Sequence, residues 1–151
     1  ELLVRKSPKN TDIVQEYFIP KSHFVDFMDG ARKIMLDNSV NLLNVTIRYC
    51  AGNREAFLSH TREDSFSIMF YTSQNLSSSG LMRAEKMTLQ LVDLALKYEG
   101  TYYLTYQLFP TQIQIRQAYP LLDEFFDLKR QYDSQELLMN QFYRRYAVNT
   151  N

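Results

Sequence analysis

VQEYFIPKSHFVDFMDGARKIMLDN, residues 14–38, changes the period of its apolar residues in mid-course. Up to Pro20 the side chains alternate weakly, at the period of 2 that an extended strand imposes. Beyond it Phe24, Met28, Ala31 and Met35 recur at the spacing of one helix face. The stretch reads as a strand (14–20) followed directly by a helix, with Pro20 closing the ladder and Ser22 as N-cap.

Working outward, LLNVTIRYC (42–50) and SFSIMFYT (65–72) are β-branched and aromatic, and the polar connection AGNREAFLSHTRED joins them. Alternation puts Asn44, Thr46 and Arg48 on one face of the first and Leu43, Val45, Ile47 and Tyr49 on the other. QNLSSSG (74–80) is loop-like. LMRAEKMTLQLVDLALKYEG then carries Ala84, Met87, Leu91, Leu94 or Ala95 and Tyr98 at helical spacing, stopping at Gly100, read as the C′ residue. TYYLTYQ (101–107) is the fourth strand, with Thr101, Tyr103 and Thr105 facing one way and Tyr102, Leu104 and Tyr106 the other. After it come two short helices divided at Pro120, which is read as the first residue of the second, and the tail SQELLMNQFYRRY adds a last turn or two.

The order β-α-β, β-α-β, then helices, predicts an α+β fold of the ferredoxin-like kind. Split βαβ repeats form a four-stranded antiparallel sheet, with helices on one face and further helices at the C-terminal end. The second face has no cover unless the C-terminal helices fold back over it. Tyrosines there would favour self-association through the open face.

Composition narrows the function. Seventeen basic and seventeen acidic residues leave no net charge, so nucleic acid is not an expected partner. No apolar run approaches the ~20 residues of a membrane span; the expected location is cytoplasmic, with peripheral membrane association as the alternative. Cys50 is the one cysteine, and His23 and His60 lie far apart, so neither a disulfide framework nor a metal site is expected. There is no GxSxG, P-loop or GxGxxG, and four glycines are too few for a phosphate cradle. The methionines at helical spacing read as core, and DEFFDLKRQYD as a solvated face with pairs such as Glu124 with Lys129 or Asp127 with Arg130. Glu1 in place of Met and the polar opening suggest that residues 1–13 are a linker from a preceding domain, with 14–151 forming one domain.

In this order EYFIPKSHFVDF, LLNVTIRY, GTYYLTYQ, AYPLLDEFFDLKRQYD and LLMNQFYRRY resemble the C-terminal half of flavoprotein oxidases of the vanillyl-alcohol oxidase superfamily. The sugar-lactone and alditol oxidases and the decaprenylphosphoryl-ribose oxidase are the nearest groups. The resemblance spans about residues 14–146, and its most specific part is the succession of Gly100, a short strand, Tyr119 and Pro120, an aromatic-acidic helix, Lys129 with Asp133, and Asn140.

The resemblance implies a substrate-binding cap of an FAD-dependent oxidoreductase. The cofactor, FAD, would be held mainly by the enzyme's own N-terminal domain. The cap would cover the flavin and shape the pocket for a small-molecule CH–OH donor, a sugar, polyol or lactone, oxidised by hydride transfer. Alone, the cap would be inactive. Matched onto the pocket positions of the family, Glu16 stands where the decaprenylphosphoryl-ribose oxidase has glutamine, and Ile47 and Tyr49 where it has a lysine and an aromatic. Ser67, Met69 and Tyr71 fall on the inward positions of the third strand. Tyr103 keeps a tyrosine that is histidine in the lactone oxidases, and Tyr106 replaces a lysine. The expected catalytic residues are therefore Tyr106 and Glu16. Tyr49, Ser67, Met69, Tyr71 and Gln107 would bind substrate, while Tyr103 and Asn140 would contact the cofactor. Glu16 also admits the plain reading of a surface or salt-bridged carboxylate. The alternative for the whole chain is a free-standing ferredoxin-like module for ligand binding or dimerisation.

Overall fold

The computed structural model describes residues 9–147. The chain runs through β1 (Asn10–Pro20), a 3-10 turn at Lys21–His23, α1 (Phe24–Asp37), β2 (Asn41–Cys50), β3 (Ser65–Asn75), α2 (Ser78–Lys97) and β4 (Thr101–Tyr102). Three further helices follow, α3 (Gln112–Ala118), α4 (Leu122–Tyr132) and α5 (Gln141–Tyr146). The strands form one sheet in the order β2-β3-β1-β4 with every neighbour antiparallel, as the split βαβ pattern requires. Of the expected linker, residues 1–8 lie outside the described residues, and 10–13 are strand, laddered to β3 from Asn10 opposite Asn75.

Alternation sorts the sheet residues. Tyr17 and Ile19 of β1 and Ile68 and Phe70 of β3 are buried with Phe27 and Ala31 of α1 and Leu91 and Ala95 of α2. The Tyr17 ring lies 5.9 Å from that of Phe27 and 6.0 Å from that of Phe70. Each such side chain contributes about 1.5–3 kcal/mol by leaving water. Gln15, on the same side, is buried but satisfied, since its amide donates to Thr88 of α2.

The C-terminal helices extend this core rather than crossing to the other sheet face. A capping box of Thr111 and Gln114 opens α3, and the Gln114 amide also donates to Asp93 of α2 at 2.6 Å. Tyr119 donates its hydroxyl to the Tyr102 carbonyl, and Tyr146 to the Pro110 carbonyl at 2.8 Å. Pro120 does not begin α4; it precedes the N-cap Leu121. Ser22 is not an N-cap either, because the 3-10 turn takes it up and His23 stands at the start of α1. Of the expected QNLSSSG loop, Gln74 and Asn75 end β3 and Ser78 to Gly80 belong to α2, whose cap is Ser77, accepting from the Gly80 N–H.

The fourth strand is the main departure. TYYLTYQ contributes only Thr101 and Tyr102 to the ladder, with one more bond from the Tyr103 N–H to the Glu16 carbonyl at 2.9 Å. Leu104 and Leu108 then turn away to pack against the core, and the two-sided alternation expected of Tyr103 and Tyr106 is lost with the strand.

Both long helices end in Schellman geometry, and in each the left-handed residue is not glycine. After α1, Val40 N–H bonds Met35 O and Ser39 N–H bonds Leu36 O, with Ser39 at φ 51°. After α2, Gly100 N–H bonds Ala95 O and Glu99 N–H bonds Leu96 O, with Glu99 at φ 57°. Gly100 is thus not the C′ residue. It is required because a Cβ there would stand 2.6 Å from both Phe18 O and Ile19 Cδ1. Glu99→Gly should therefore stabilise the protein by up to about 1 kcal/mol in urea unfolding. Gly100→Ala should destabilise it by about 1–3 kcal/mol through the steric clash with Phe18 and Ile19.

Candidate functional site

The face of the sheet away from the helices carries Val14, Glu16 and Phe18 of β1 opposite Tyr71, Met69 and Ser67 of β3. Asn44, Thr46 and Arg48 of β2 lie on that same side, because they pair with Tyr71, Met69 and Ser67. The face that the sequence led one to expect bare is covered at its Phe18 end by the connection 51–64. His60 packs its ring, tilted by 47°, 4.3 Å from that of Phe18, its carbonyl accepts from Thr101 Oγ1 at 2.6 Å, and Arg62 reaches the Ala118 carbonyl at 3.1 Å. Asp64 fixes the base of this strap. It accepts from the Gly52 N–H and Lys21 Nζ, both at 3.1 Å, and these donors, with the Tyr49 phenol nearby, hold its pKa down to about 2.

Beside the strap lies a buried carboxylate. Glu16 is 5% exposed, on the central strand. It accepts from Arg48 Nη2 at 2.8 Å and from Ser67 Oγ, and the Tyr106 phenol stands near enough to feel its charge. The Tyr106 ring is 5.5 Å from that of Tyr103, which in turn meets the rings of Phe18 and His60. Two strands, β2 and β3, thus bring donors to one acidic group, and the chain after β4 sets a phenol beside it. Burial, and then the negative charge of Glu16, raise the Tyr106 pKa above the ordinary 10.0, so Tyr106 stays a donor at neutral pH. His60 is shifted below 6.5 by the burial of its ring against neighbours, with Glu16 opposing.

Of the residues expected at the site, Glu16, Ser67, Tyr103 and Tyr106 meet here. Met69 is directly across the ladder from Glu16, and Tyr71 lies further along the same face, donating to Asp12 at 3.0 Å. The others do not join them. Tyr49 pairs with Phe66 across the ladder and looks to the helix side, where Lys21 sits 5.5 Å over its ring. Gln107 donates to Gln74, at 3.4 Å, which shares the helix-side register of Phe70 and Thr72. Asn140 is the N-cap of α5, its side chain accepting from the Tyr143 N–H at 2.7 Å. Lys129 and Asp133 are also structural. They pair at 2.7 Å, Asp133 accepts from the Leu137 and Leu138 N–H groups, and Lys129 lies 4.2 Å over the Tyr143 ring. On α4, Asp127 pairs with Arg130 as expected, whereas Lys129 takes Asp133 rather than Glu124.

Neither Arg48 nor His60 is among the residues the sequence placed at the site, and His60 reads there as a surface loop histidine. Alternation alone set Arg48 apart from Tyr49, but only the register with β3 tells which of the two shares a face with Glu16. His60 carried no signal beyond being a histidine in a polar connection.

An apolar groove of about 660 Å³ adjoins the cluster, lined among others by Leu58, Leu104, Leu108, Phe125 and Phe142. Tyr106 belongs to its wall as well as to the Glu16 cluster. Among the described residues no three His, Cys, Asp or Glu are placed to hold a metal ion, and no helix is long and apolar enough to cross a membrane. No protein-family model matches the chain, and no curated protein matches it.

The Glu16 charge supports protonation of His60 across this cluster. Glu16→Gln should therefore lower the His60 pKa further, read as a downfield-to-upfield NMR titration whose midpoint moves to lower pH. An unchanged midpoint would disconnect the two groups.

Proposed function

We propose that this domain is the substrate-binding cap of an FAD-dependent oxidoreductase acting on a CH–OH donor, with the Glu16 cluster as its reacting end. The observation that carries the reading is the buried Glu16 carboxylate on the helix-free sheet face, ringed by Arg48, Ser67 and Tyr106 and edged by the 38%-exposed Tyr103. A planar aromatic ring can lie against Tyr103, and a substrate hydroxyl can reach Glu16 and Tyr106 together.

The described residues suit a wall against a flavin ring rather than a cradle for its pyrophosphate. None of their glycines has a positive φ, and Gly100 is filled in by backbone and Ile19. When bound, flavin supplies the hydride acceptor. This chain's residues then hold and deprotonate the donor. Glu16 accepts the hydroxyl proton, since two bound donors leave about two of a carboxylate's roughly four acceptor positions open. Tyr106, kept protonated, donates to the same oxygen and orients it. Arg48, with its side chain 57% exposed, supplies the cation that Tyr106 lacks, beside negative charge developing on the substrate oxygen.

Protein made from the complete reading frame should be yellow, and one of a panel of polyols, sugars and sugar lactones should bleach it under anaerobic conditions. In that protein Tyr106→Phe and Glu16→Gln should each slow flavin reduction by about 10²-fold or more without releasing the flavin. A folded, colourless protein would overturn the reading in favour of a ligand-binding module.

A further inference from the structure

We infer that the β2 edge of the sheet is a homodimer interface, in which two copies of β2 pair antiparallel to make one continuous eight-stranded sheet. The inference does not depend on the flavin reading. The sheet has two edges. β4 offers two residues, whereas β2 offers ten, from Asn41 to Cys50, and almost all of them are exposed. An edge strand presents unpaired N–H and C=O groups to any second strand, and proteins that avoid such pairing place lysine, proline or an inward charge on the edge. From Asn44 to Cys50 β2 has no proline, lysine or acid, and its one charge, Arg48, is tied to Glu16 at 2.8 Å.

The sequence of β2 matches itself. A two-fold axis perpendicular to the sheet keeps each copy's faces aligned, so a residue can only oppose one of its own parity. The irregularity between Leu42 and Asn44 ends the regular stretch, leaving 44–50. Pairing all of it places the axis on Ile47. Val45 then meets Tyr49 twice, an aromatic against a β-branched side chain on the helix side. Thr46 meets Arg48 and Asn44 meets Cys50 on the other side, so the two Arg48 side chains never stand directly opposite each other. Ile47 and Tyr49 are 46% and 56% exposed, large apolar side chains that a second copy would cover.

Sedimentation velocity of the full chain over a wide range of concentration should show a mass rising to twice the monomer's. Ile47→Lys puts two ammonium groups face to face on the axis and should leave a monomer with an unchanged circular dichroism spectrum. In a Cys50→Ser background, Ile47→Cys should cross-link under mild oxidation into a dimer that reductant reverses. Directly opposed residues in an antiparallel pair have Cα atoms about 4.5–5.5 Å apart, within the range a disulfide spans. A monomer at every concentration, a dimer that survives Ile47→Lys, or a dimer in which Ile47→Cys fails to cross-link would each overturn the proposal.

Discussion

A carboxylate buried in the middle of a sheet has to be answered by donors, and Glu16 recruits them from nearly everything around it. Arg48 comes from the edge strand and Ser67 from the adjoining strand, and the Tyr106 phenol stands beside them from the chain that has just left the sheet. An ionised group so far from water is tolerated only when it is paired and hydrogen-bonded. The position of each donor is therefore constrained by the same charge. This ties β2 to the sheet centre although most of its side chains are exposed, and it brings the post-β4 chain back over the face it would otherwise leave. The plain reading of Glu16 as a salt-bridged residue and the functional one are thus the same geometry seen from two sides.

Local periodicity accounts for how much of this was visible in advance. The change of period at Pro20, the two long helices and the two central strands follow from spacings that each segment carries alone, and the strand order follows from their succession. What stayed hidden depends on partners far away in sequence. TYYLTYQ has the composition of a strand throughout, yet it is released after Tyr102 because Leu104 and Leu108 find apolar neighbours off the sheet. Gly100 follows a helix, as a terminating glycine does, but the backbone turn falls on Glu99, and the glycine answers the close approach of Phe18 instead. Tyr49 and Arg48 are neighbours on a strand whose alternation was correctly read. Choosing between them needed the pairing with β3, and one residue of register exchanges the faces.

The segment most specific to the flavoprotein resemblance proves to be architecture. Lys129, Asp133 and Asn140 hold the end of α4, the turn at 134–139 and the start of α5 through an ion pair, two backbone caps and a helix cap. Such residues bear on which fold a chain adopts at its C-terminal end, and any functional claim has to rest on the site itself. Glu16 and its neighbours, which come from other parts of the chain, make up that site.

The tyrosines after Gly100 divide by the side of the sheet each reaches. Tyr102 is core, its ring 5.9 Å from that of Tyr119, and its carbonyl receives the Tyr119 hydroxyl. Tyr103 and Tyr106, which an unbroken strand would have sent to opposite faces, lie ring to ring on the helix-free side because the strand ends between Tyr102 and Leu104. The early end of β4 therefore does structural and chemical duty at once. It lets Leu104 and Leu108 form the wall of the apolar groove, and it turns Tyr106 toward Glu16 at the place where that groove meets the polar cluster. A molecule spanning the two would have a hydroxylated end at Glu16 and an apolar part along Leu104. The same short strand leaves β2 as the one long edge of the sheet.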